Sequence, residues 1–344
     1  MKRLFFSLFV SLLCITNAFA QQQMAVLSHN GEIKAFYGSE AYIQAMDEAD
    51  NGDVITLSSG MFDARDIYKS VTIRGAGMEN DTITGREATY IVGDYAVGID
   101  NEVKELTIEG ICFSGAMHVF DKGCLDYVTF NKCKFTKNDW TGAMVILNDS
   151  VTVKCVFKDC KATRLPGNQP SLEAYNCYFG EIVRGHLYNC VFSIGGNGHE
   201  DQIQYSHVYN SVVFVTGHVY LLNQNNVSFS NTLMVADNSE WGWEGSKLFE
   251  SSYFHWNCPS FNVKFIYVDN YMNMFKKSSF DNDYLNKCDF ILSDLYDNSV
   301  YGMYGGPSPY TPFLNVPTIT RMSVDAESDE KGLLGVDIEV SGVK

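Results

Sequence analysis

The sequence predicts an all-β fold, a right-handed parallel β-helix with coils of about 21 to 22 residues and an N-terminal capping helix. Three observations support this prediction. A short motif recurs along the chain, its spacing suits one turn of a three-sided solenoid, and convincing helical periodicity is confined to one short segment. Of the 344 residues, 46% are hydrophobic and 19% are charged, which leaves ample apolar sequence for a large core.

The repeated motif is a cysteine, any residue and a phenylalanine, and four copies lie between residues 133 and 192. Looser copies precede and follow them. With the cysteine as the reference position, the copies lie at Ile111, Cys133, Cys155, Cys177, Cys190, Ser211, Thr232 and Ser252. Steps of 20 to 22 residues fit three short strands and three turns, but the step from Cys177 to Cys190 is only 13 residues. Either one of these two copies lies on a different face, or a turn is deleted there.

The residues around the reference position indicate a sharp corner. Apolar residues lie at the reference position and three residues before it, whereas inward-facing residues of one continuous strand are two apart. Asparagine, which tolerates a left-handed backbone, commonly occupies the position between them, as in Asn176, Asn189, Asn210 and Asn231. We therefore predict an asparagine corner followed by an inward-facing column of reduced cysteines, in which buried thiols act as small hydrophobic groups.

The first 20 residues have the features of a signal peptide. Lys2 and Arg3 precede an apolar run at 5–15, and Ala18-Phe19-Ala20 suits cleavage after Ala20. Nine of the ten cysteines lie in the mature chain, and this odd number argues against complete disulfide pairing. We expect an exported protein, periplasmic, cell-surface or extracellular, with no transmembrane segment in the mature chain.

The charge of the chain limits its partners. The formal net charge of -16 repels nucleic acids, and it also repels acidic polysaccharides in the absence of bridging cations. A polysaccharide or cell-surface glycan stays compatible with this surface. Calcium is compatible with the acidity, but no cofactor and no metal site is assigned, and the sequence does not indicate an oligomeric state.

The ends of the chain predict three regions: a signal peptide at 1–20, a β-helix at 21–300 and a tail at 301–344. The capping helix is predicted at 39–50, with Ser39 as its cap and Gly52 just beyond its end. Strands are expected at residues 53 to 57 and 71 to 74, and a terminal strand at 336 to 340. A helix over the first coil would cover an otherwise open sheet edge.

The stretch Ala45–Gly85 resembles the opening of secreted pectin-lyase-fold proteins, with a helix, the strand at Gly52-Asp53-Val54-Ile55 and the strand at Val71-Thr72-Ile73-Arg74-Gly75. The tail, with Gly305-Gly306-Pro307-Ser308-Pro309-Tyr310, is similar to the ends of uncharacterised members exported by Bacteroidetes-type bacteria. This resemblance implies the fold but no activity, because the fold hosts lyases, hydrolases, esterases, adhesins and scaffolds. The polygalacturonase-like and pectin methylesterase-like catalytic motifs are absent from the sequence.

Two clusters are candidate sites. His186 and His207 both lie four residues before a reference position, so they should stack on one outward face. Together with Arg184, Glu200 and Asp201 they form a candidate group for acid–base or metal chemistry, with a solvated strand face as the alternative.

The second cluster is aromatic and lies late in the solenoid. Its members are Trp241, Trp243, Tyr253 and Trp256, and exposed aromatic faces of this kind stack on sugar rings. The alternative is that they fill the core of the last coils. The preferred hypothesis is a carbohydrate-binding or cell-surface recognition protein, leaning against an enzyme. A polysaccharide lyase or glycoside hydrolase with an atypical site is one alternative, and a structural spacer or adhesin is another.

Overall fold

A computed structural model describes residues 23–80, 86–97, 103–119, 127–136, 144–146, 154–162, 171–180, 185–194, 205–215, 219–221, 226–237, 248–250, 254–276, 290–311, 318–324 and 336–341. In these ranges the protein is all-β apart from one α-helix and two short 3₁₀ segments, and most of its strands belong to a single sheet. The predicted signal peptide lies outside the described residues. The described ranges contain no helix that is both long enough and apolar enough to cross a bilayer.

The secondary structure consists of α1 (Ala41–Glu48), the 3₁₀ segments Leu248–Glu250 and Tyr271–Met274, and 27 strands. The strands are β1 (Met24–His29), β2 (Glu32–Tyr37), β3 (Val54–Leu57), β4 (Gly60–Asp63), β5 (Thr72–Arg74), β6 (Thr89–Val92), β7 (Tyr95–Val97), β8 (Glu105–Glu109), β9 (Cys112–Phe113), β10 (Met117–Val119), β11 (Tyr127–Asn131), β12 (Lys134–Phe135), β13 (Met144–Ile146), β14 (Lys154–Lys158), β15 (Lys161–Ala162), β16 (Ser171–Tyr175), β17 (Tyr178–Phe179), β18 (Gly185–Tyr188), β19 (Val191–Ile194), β20 (Ser206–Tyr209), β21 (Val212–Val215), β22 (Val219–Leu221), β23 (Ser228–Asp237), β24 (Phe254–Trp256), β25 (Ser260–Val268), β26 (Thr318–Val324) and β27 (Val336–Ser341).

Twenty strands form one hydrogen-bonded sheet that is mostly parallel. Successive passes of the chain add one strand to each of two series. The first ladder is β3, β5, β8, β11, β14, β16, β18 and β20, and the second ladder is β4, β6, β9, β12, β15, β17, β19 and β21. The long strands β23 and β25 continue both ladders. Shorter parallel groups join β7, β10 and β13, and β22 with β24. This topology is compatible with a parallel β-helix.

A column of phenylalanines fills the space behind the ladders, because alternate residues of each strand face the same side. The rings of Phe130 and Phe157 stack with their centroids 4.9 Å apart, and those of Phe113 and Phe135 stack at 5.3 Å. The inward positions are almost completely buried, and their largest members are Phe113, Phe130, Phe135, Phe157, Phe179, Phe192 and Phe229. Each pass thus buries its apolar side chains only because the passes on both sides cover them.

The predicted asparagine corners are confirmed. The residue between the two ladders is left-handed in each pass, with φ of 53° at Asn176, 55° at Asn189, 51° at Asn210 and 49° at Asn231. Asparagine side chains also connect neighbouring passes: the Asn231 amide donates to Oδ1 of Asn210 at 3.3 Å, and the Asn262 amide donates to Oδ1 of Asn231 at 2.8 Å. The corner therefore combines a local backbone preference with hydrogen bonds along the sheet.

The column of reduced cysteines is also confirmed, but one predicted member is wrong. Cys155 lies within the first ladder, where it pairs with Val128 and Leu172. The reference position of that pass belongs to Cys160, which follows a left-handed Asp159. The corrected column is Ile111, Cys133, Cys160, Cys177, Cys190, Ser211, Thr232 and Val263. Sequence spacing favoured Cys155 because it also precedes a buried phenylalanine by two residues.

The expectation of a constant 21- to 22-residue coil is wrong. Successive members of the corrected column are 22, 27, 17, 13, 21, 21 and 31 residues apart. The short step does not move a copy to another face, because Tyr178 pairs with Val191 and the Val191 amide donates to the Cys177 carbonyl at 2.9 Å. The segments between the ladders absorb the variation in length, while the corner keeps its geometry.

The capping helix is shorter than predicted, and Ser39 is not its cap. Helix α1 begins at Ala41, the preceding Glu40 makes no side-chain capping hydrogen bond, and the chain becomes extended at Ala49. An N-terminal hairpin that the sequence analysis did not predict lies beside it, since β1 pairs antiparallel with both β2 and β3. This hairpin, together with the helix, covers the first edge of the sheet.

The segment 269–311 covers the outer surface of the second ladder. Val191, Val212 and Leu233 point away from the phenylalanine column, yet they are buried against residues such as Leu292 and Met303. The corners anchor this segment, because the Asn189 amide donates to the Val300 carbonyl at 2.9 Å and the Gly302 amide donates to the Asn210 carbonyl at 2.9 Å. Residues 313–344 form a separate compact unit in which β26 and β27 pair antiparallel, and β27 includes the predicted terminal strand.

Asp159 gives the corner region a pH dependence. Burial raises the pKa of Asp159 to about 6, although the Asn176 amide and the nearby Lys132 act in the opposite direction. The folded protein then binds more protons than the unfolded chain between about pH 4 and pH 6, so this group lowers stability as the pH rises through that window.

We expect Asp159→Asn to raise the free energy of unfolding at pH 7.5 by about 1 kcal/mol, after allowance for solvent screening of a half-buried carboxylate. Urea unfolding at pH 7.5 and pH 4.5 tests this, and the gain should shrink at the lower pH. The control is Asp297→Asn, since hydrogen bonds from Ser299 lower the pKa of Asp297 and its removal should bring no gain at pH 7.5. An equal gain from Asp159→Asn at both pH values would contradict the assignment.

Candidate functional site

The two histidines singled out by the sequence stack on the outward side of the first ladder. His186 in β18 pairs in register with His207 in β20, and their ring centroids are 4.9 Å apart. Both side chains are half-buried, because their strand neighbours Leu187 and Val208 point into the core. The alternation of each strand therefore presents the two imidazoles together at the surface.

Further polar residues extend the histidine column in both directions. Glu173 pairs with His186 on one side, and Ser228 pairs with His207 on the other. The Nδ1 atom of His207 lies 2.6 Å from the Ser228 hydroxyl oxygen. Burial lowers the pKa of His207 below its ordinary value, and the neighbouring His186 lowers it further. His207 is accordingly neutral at neutral pH and can accept or donate a hydrogen bond.

Glu173 supplies the negative charge of this surface. Its carboxylate accepts from Lys154 Nζ at 3.0 Å and from the Tyr175 hydroxyl at 3.2 Å. The hydrogen bond from Lys154 is the main cause of the lowered pKa of Glu173, so the group is ionised at neutral pH. The Lys154–Glu173 pair leaves this part of the surface close to electroneutral.

A ladder of stacked tyrosines runs beside the histidines. The rings of Tyr175, Tyr188 and Tyr209 stack with centroids 5.0 Å apart in each pair and interplanar angles of 7° and 5°. Burial raises the pKa of Tyr175 and of Tyr188, so both phenols carry their proton at neutral pH. The sequence analysis missed this ladder, although its signal was present: a tyrosine lies two residues before Cys177, Cys190 and Ser211.

We call the surface formed by Glu173, Tyr175, His186, Tyr188, His207 and Tyr209 the histidine–tyrosine face. Two rows of aromatic and imidazole rings, in register with the sheet, present their polar edges to solvent. The strands and the stacking hold these side chains in place, so a ligand would order them at a small entropic cost. The face offers several hydrogen-bond donors and acceptors on a largely apolar support.

Most other predicted site residues lie outside the described part of the chain. This applies to Arg184, Glu200, Asp201, Trp241, Trp243 and Tyr253. Trp256 is described, and it is half-buried at the end of the core. Its ring lies 4.9 Å from that of Phe229 and meets the ring of Phe265 edge-on at 5.4 Å.

The described ranges hold no group of three or more His, Cys, Asp or Glu residues that could bind a metal ion. Similarity to known proteins does not identify the site either: no protein-family model, no curated protein and no solved structure matches the chain. Chemical information about function therefore resides in the histidine–tyrosine face itself, where neutral imidazoles, protonated phenols and one paired carboxylate lie side by side.

Proposed function

We propose that this protein is an exported right-handed parallel β-helix of the pectin-lyase type that binds a glycan at its surface. The stacked parallel ladders, the left-handed corners and the signal-peptide features of residues 1–20 support the fold and the export. The observation that carries the binding function is the histidine–tyrosine face, a rigid array of rings with polar edges on a flat sheet surface.

The chemistry of the face suits a neutral polysaccharide. Sugars present hydroxyl groups and apolar C–H surfaces together, and an array of Tyr and His edges can contact both. The formal net charge of -16 disfavours anionic chains and nucleic acids. Strands of one ladder are about 4.8 Å apart, and successive sugar units of an extended chain have a similar repeat, so several units can contact several passes.

The test is a glycan array with the mature chain beginning at Gln21, run with and without calcium, followed by titration of each ligand that binds. We expect the double variant His186→Ala/Tyr188→Ala to bind at least about 10-fold more weakly, a loss of about 1.4 kcal/mol or more. The matched control is Tyr37→Ala, since Tyr37 is 58% exposed on β2, remote in sequence from the face.

A parallel variant, Trp241→Ala/Trp243→Ala, distinguishes the face from the late tryptophans. Binding that survives in the His186/Tyr188 variant but disappears in the tryptophan variant would move the site to the tryptophans. A mature protein that binds no glycan on the array would overturn the proposal and favour the spacer or adhesin hypothesis.

One observation favours a second candidate function, a polysaccharide lyase or glycoside hydrolase. His207 has a lowered pKa and a short contact to the Ser228 hydroxyl, so it is the described residue best suited to act as a general base. Product analysis of each glycan that binds separates the two functions. Unsaturated or shortened products that disappear in His207→Ala would establish the enzyme, and intact ligand would support recognition alone.

A further inference from the structure

The tyrosine ladder is interrupted at one position and then followed by another aromatic residue. Tyr209 in β20 pairs in register with Ser230 in β23, and Ser230 pairs with Phe261 in β25. Phe261 is 71% exposed, so its ring stands on the surface rather than in the core. The column Tyr175, Tyr188, Tyr209, Ser230, Phe261 thus contains one small residue between two aromatic ones.

The backbone repeats its geometry through this interruption. Each of the three residues is followed by a left-handed asparagine, with φ of 51° at Asn210, 49° at Asn231 and 51° at Asn262. Asn231 and Asn262 are joined by the amide hydrogen bond of 2.8 Å. The side chains at the preceding positions therefore leave the sheet in equivalent directions, and only the size of Ser230 breaks the row.

The gap above Ser230 has the dimensions of one ring. Neighbouring strands are about 4.8 Å apart, so Tyr209 and Phe261 originate about 10 Å from each other. The tyrosines before the gap stack at a centroid distance of 5.0 Å. A single ring in the gap would lie about 5 Å from both aromatic neighbours, which is within the range of favourable stacking.

We propose that this gap, formed by Tyr209, Ser230 and Phe261, is a subsite that holds one neutral pyranose ring of a bound glycan. The proposal rests on the glycan-binding function above and assigns that function a specific position. The two apolar faces of the sugar pack against Tyr209 and Phe261, while hydroxyls at the base of the gap, on Ser230 and Ser228, lie on its polar edge. The net charge of -16 favours a neutral sugar over an anionic nucleotide of similar ring size.

The decisive variant is Ser230→Tyr, which continues the ladder and fills the gap with the protein's own ring. We expect this variant to fold and to melt at or above the wild-type temperature, because the new ring stacks on Tyr209. Its affinity should fall at least about 10-fold. Ser230→Ala, which keeps the gap open, should change affinity by less than about threefold.

A second variant, Phe261→Ala, removes one wall of the gap at an exposed position and should also weaken binding at least about 10-fold, with little effect on folding. The probes are cellohexaose, xylohexaose, mannohexaose and laminarihexaose, with adenosine as a planar aromatic ligand, measured by isothermal titration calorimetry.

The outcomes separate the two proposals. Wild-type affinity in both Ser230→Tyr and Phe261→Ala, with loss in the His186→Ala/Tyr188→Ala variant, would overturn the subsite and leave glycan binding by the face intact. Adenosine binding without oligosaccharide binding would overturn the pyranose assignment. If none of the oligosaccharides binds to the wild-type protein, both proposals fail.

Discussion

Replacing Phe157 by alanine is expected to lower the free energy of unfolding by about 3–5 kcal/mol, the range for a fully buried phenylalanine. Phe157 is 0% exposed at the middle of the phenylalanine column. Its ring stacks on Phe130 at 4.9 Å and meets Phe179 edge-on at 5.8 Å. The loss would combine the transfer energy of the ring with the cost of a cavity between two passes.

The control for this prediction is Phe261→Ala, which removes the same side chain from a position that is 71% exposed. We expect that variant to change the free energy of unfolding by no more than about 0.5 kcal/mol. Urea unfolding followed by circular dichroism measures both. Equal effects of the two substitutions would mean that Phe157 does not lie in a packed core. Because passes contact mainly their neighbours, loss of Phe157 should also reduce the cooperativity of unfolding.

The second large effect is expected at Cys177, where valine and serine should differ. The Cys177 thiol donates to the Tyr175 carbonyl at 3.1 Å, and its sulfur accepts from the buried Cys160 amide at 3.4 Å. Valine has a similar volume but can do neither, so Cys177→Val leaves a buried amide without that acceptor. We expect a loss of about 1–3 kcal/mol.

Serine is the matched replacement, because the same column already uses it. The Ser211 hydroxyl donates to the Tyr209 carbonyl at 2.8 Å and accepts from the Cys190 amide at 3.1 Å. Cys177→Ser should therefore keep both contacts and cost less than about 1 kcal/mol. If valine proves as stable as serine in urea unfolding, the column would be only a packing feature. The structure thus revises the interpretation of these thiols as purely hydrophobic groups.

The thiols in this column should also be unreactive. Burial raises the pKa of Cys177 and of Cys133 well above the ordinary value for a thiol. Since the thiolate is the reactive form, neither residue favours disulfide exchange in the folded protein. The cysteines that the structure describes are all free and buried, in keeping with the reduced column predicted from the sequence.

Local features of the sequence determined much of this architecture. Alternation of apolar residues identified inward positions such as Phe130 and Leu187, and asparagine marked corners such as Asn210. The equal offset of His186 and His207 from their reference positions predicted that they would stack. These inferences succeeded because the alternation of a strand and the left-handed preference of asparagine depend only on neighbouring residues.

The sequence also contained the tyrosine ladder, but only the three-dimensional register showed its meaning. Tyr175, Tyr188 and Tyr209 become neighbours because their strands pair in register. The steps between their passes differ, 13 residues in one case and 21 in the next, so a search for a constant period does not connect them. Ser230 and Phe261, separated by a longer step, are equally hidden in the linear sequence.

The tertiary structure decided what depends on distant parts of the chain. It selected Cys160 rather than Cys155 for the column, because the pairing between passes, and not the local motif, fixes which residue follows the corner. It also placed the segment 269–311 over Val191 and Val212, whose outward positions resemble solvent-facing strand residues in sequence. Local conformational preferences determine corners and alternation, whereas register and coverage arise only when segments far apart in the chain bury one another's surfaces.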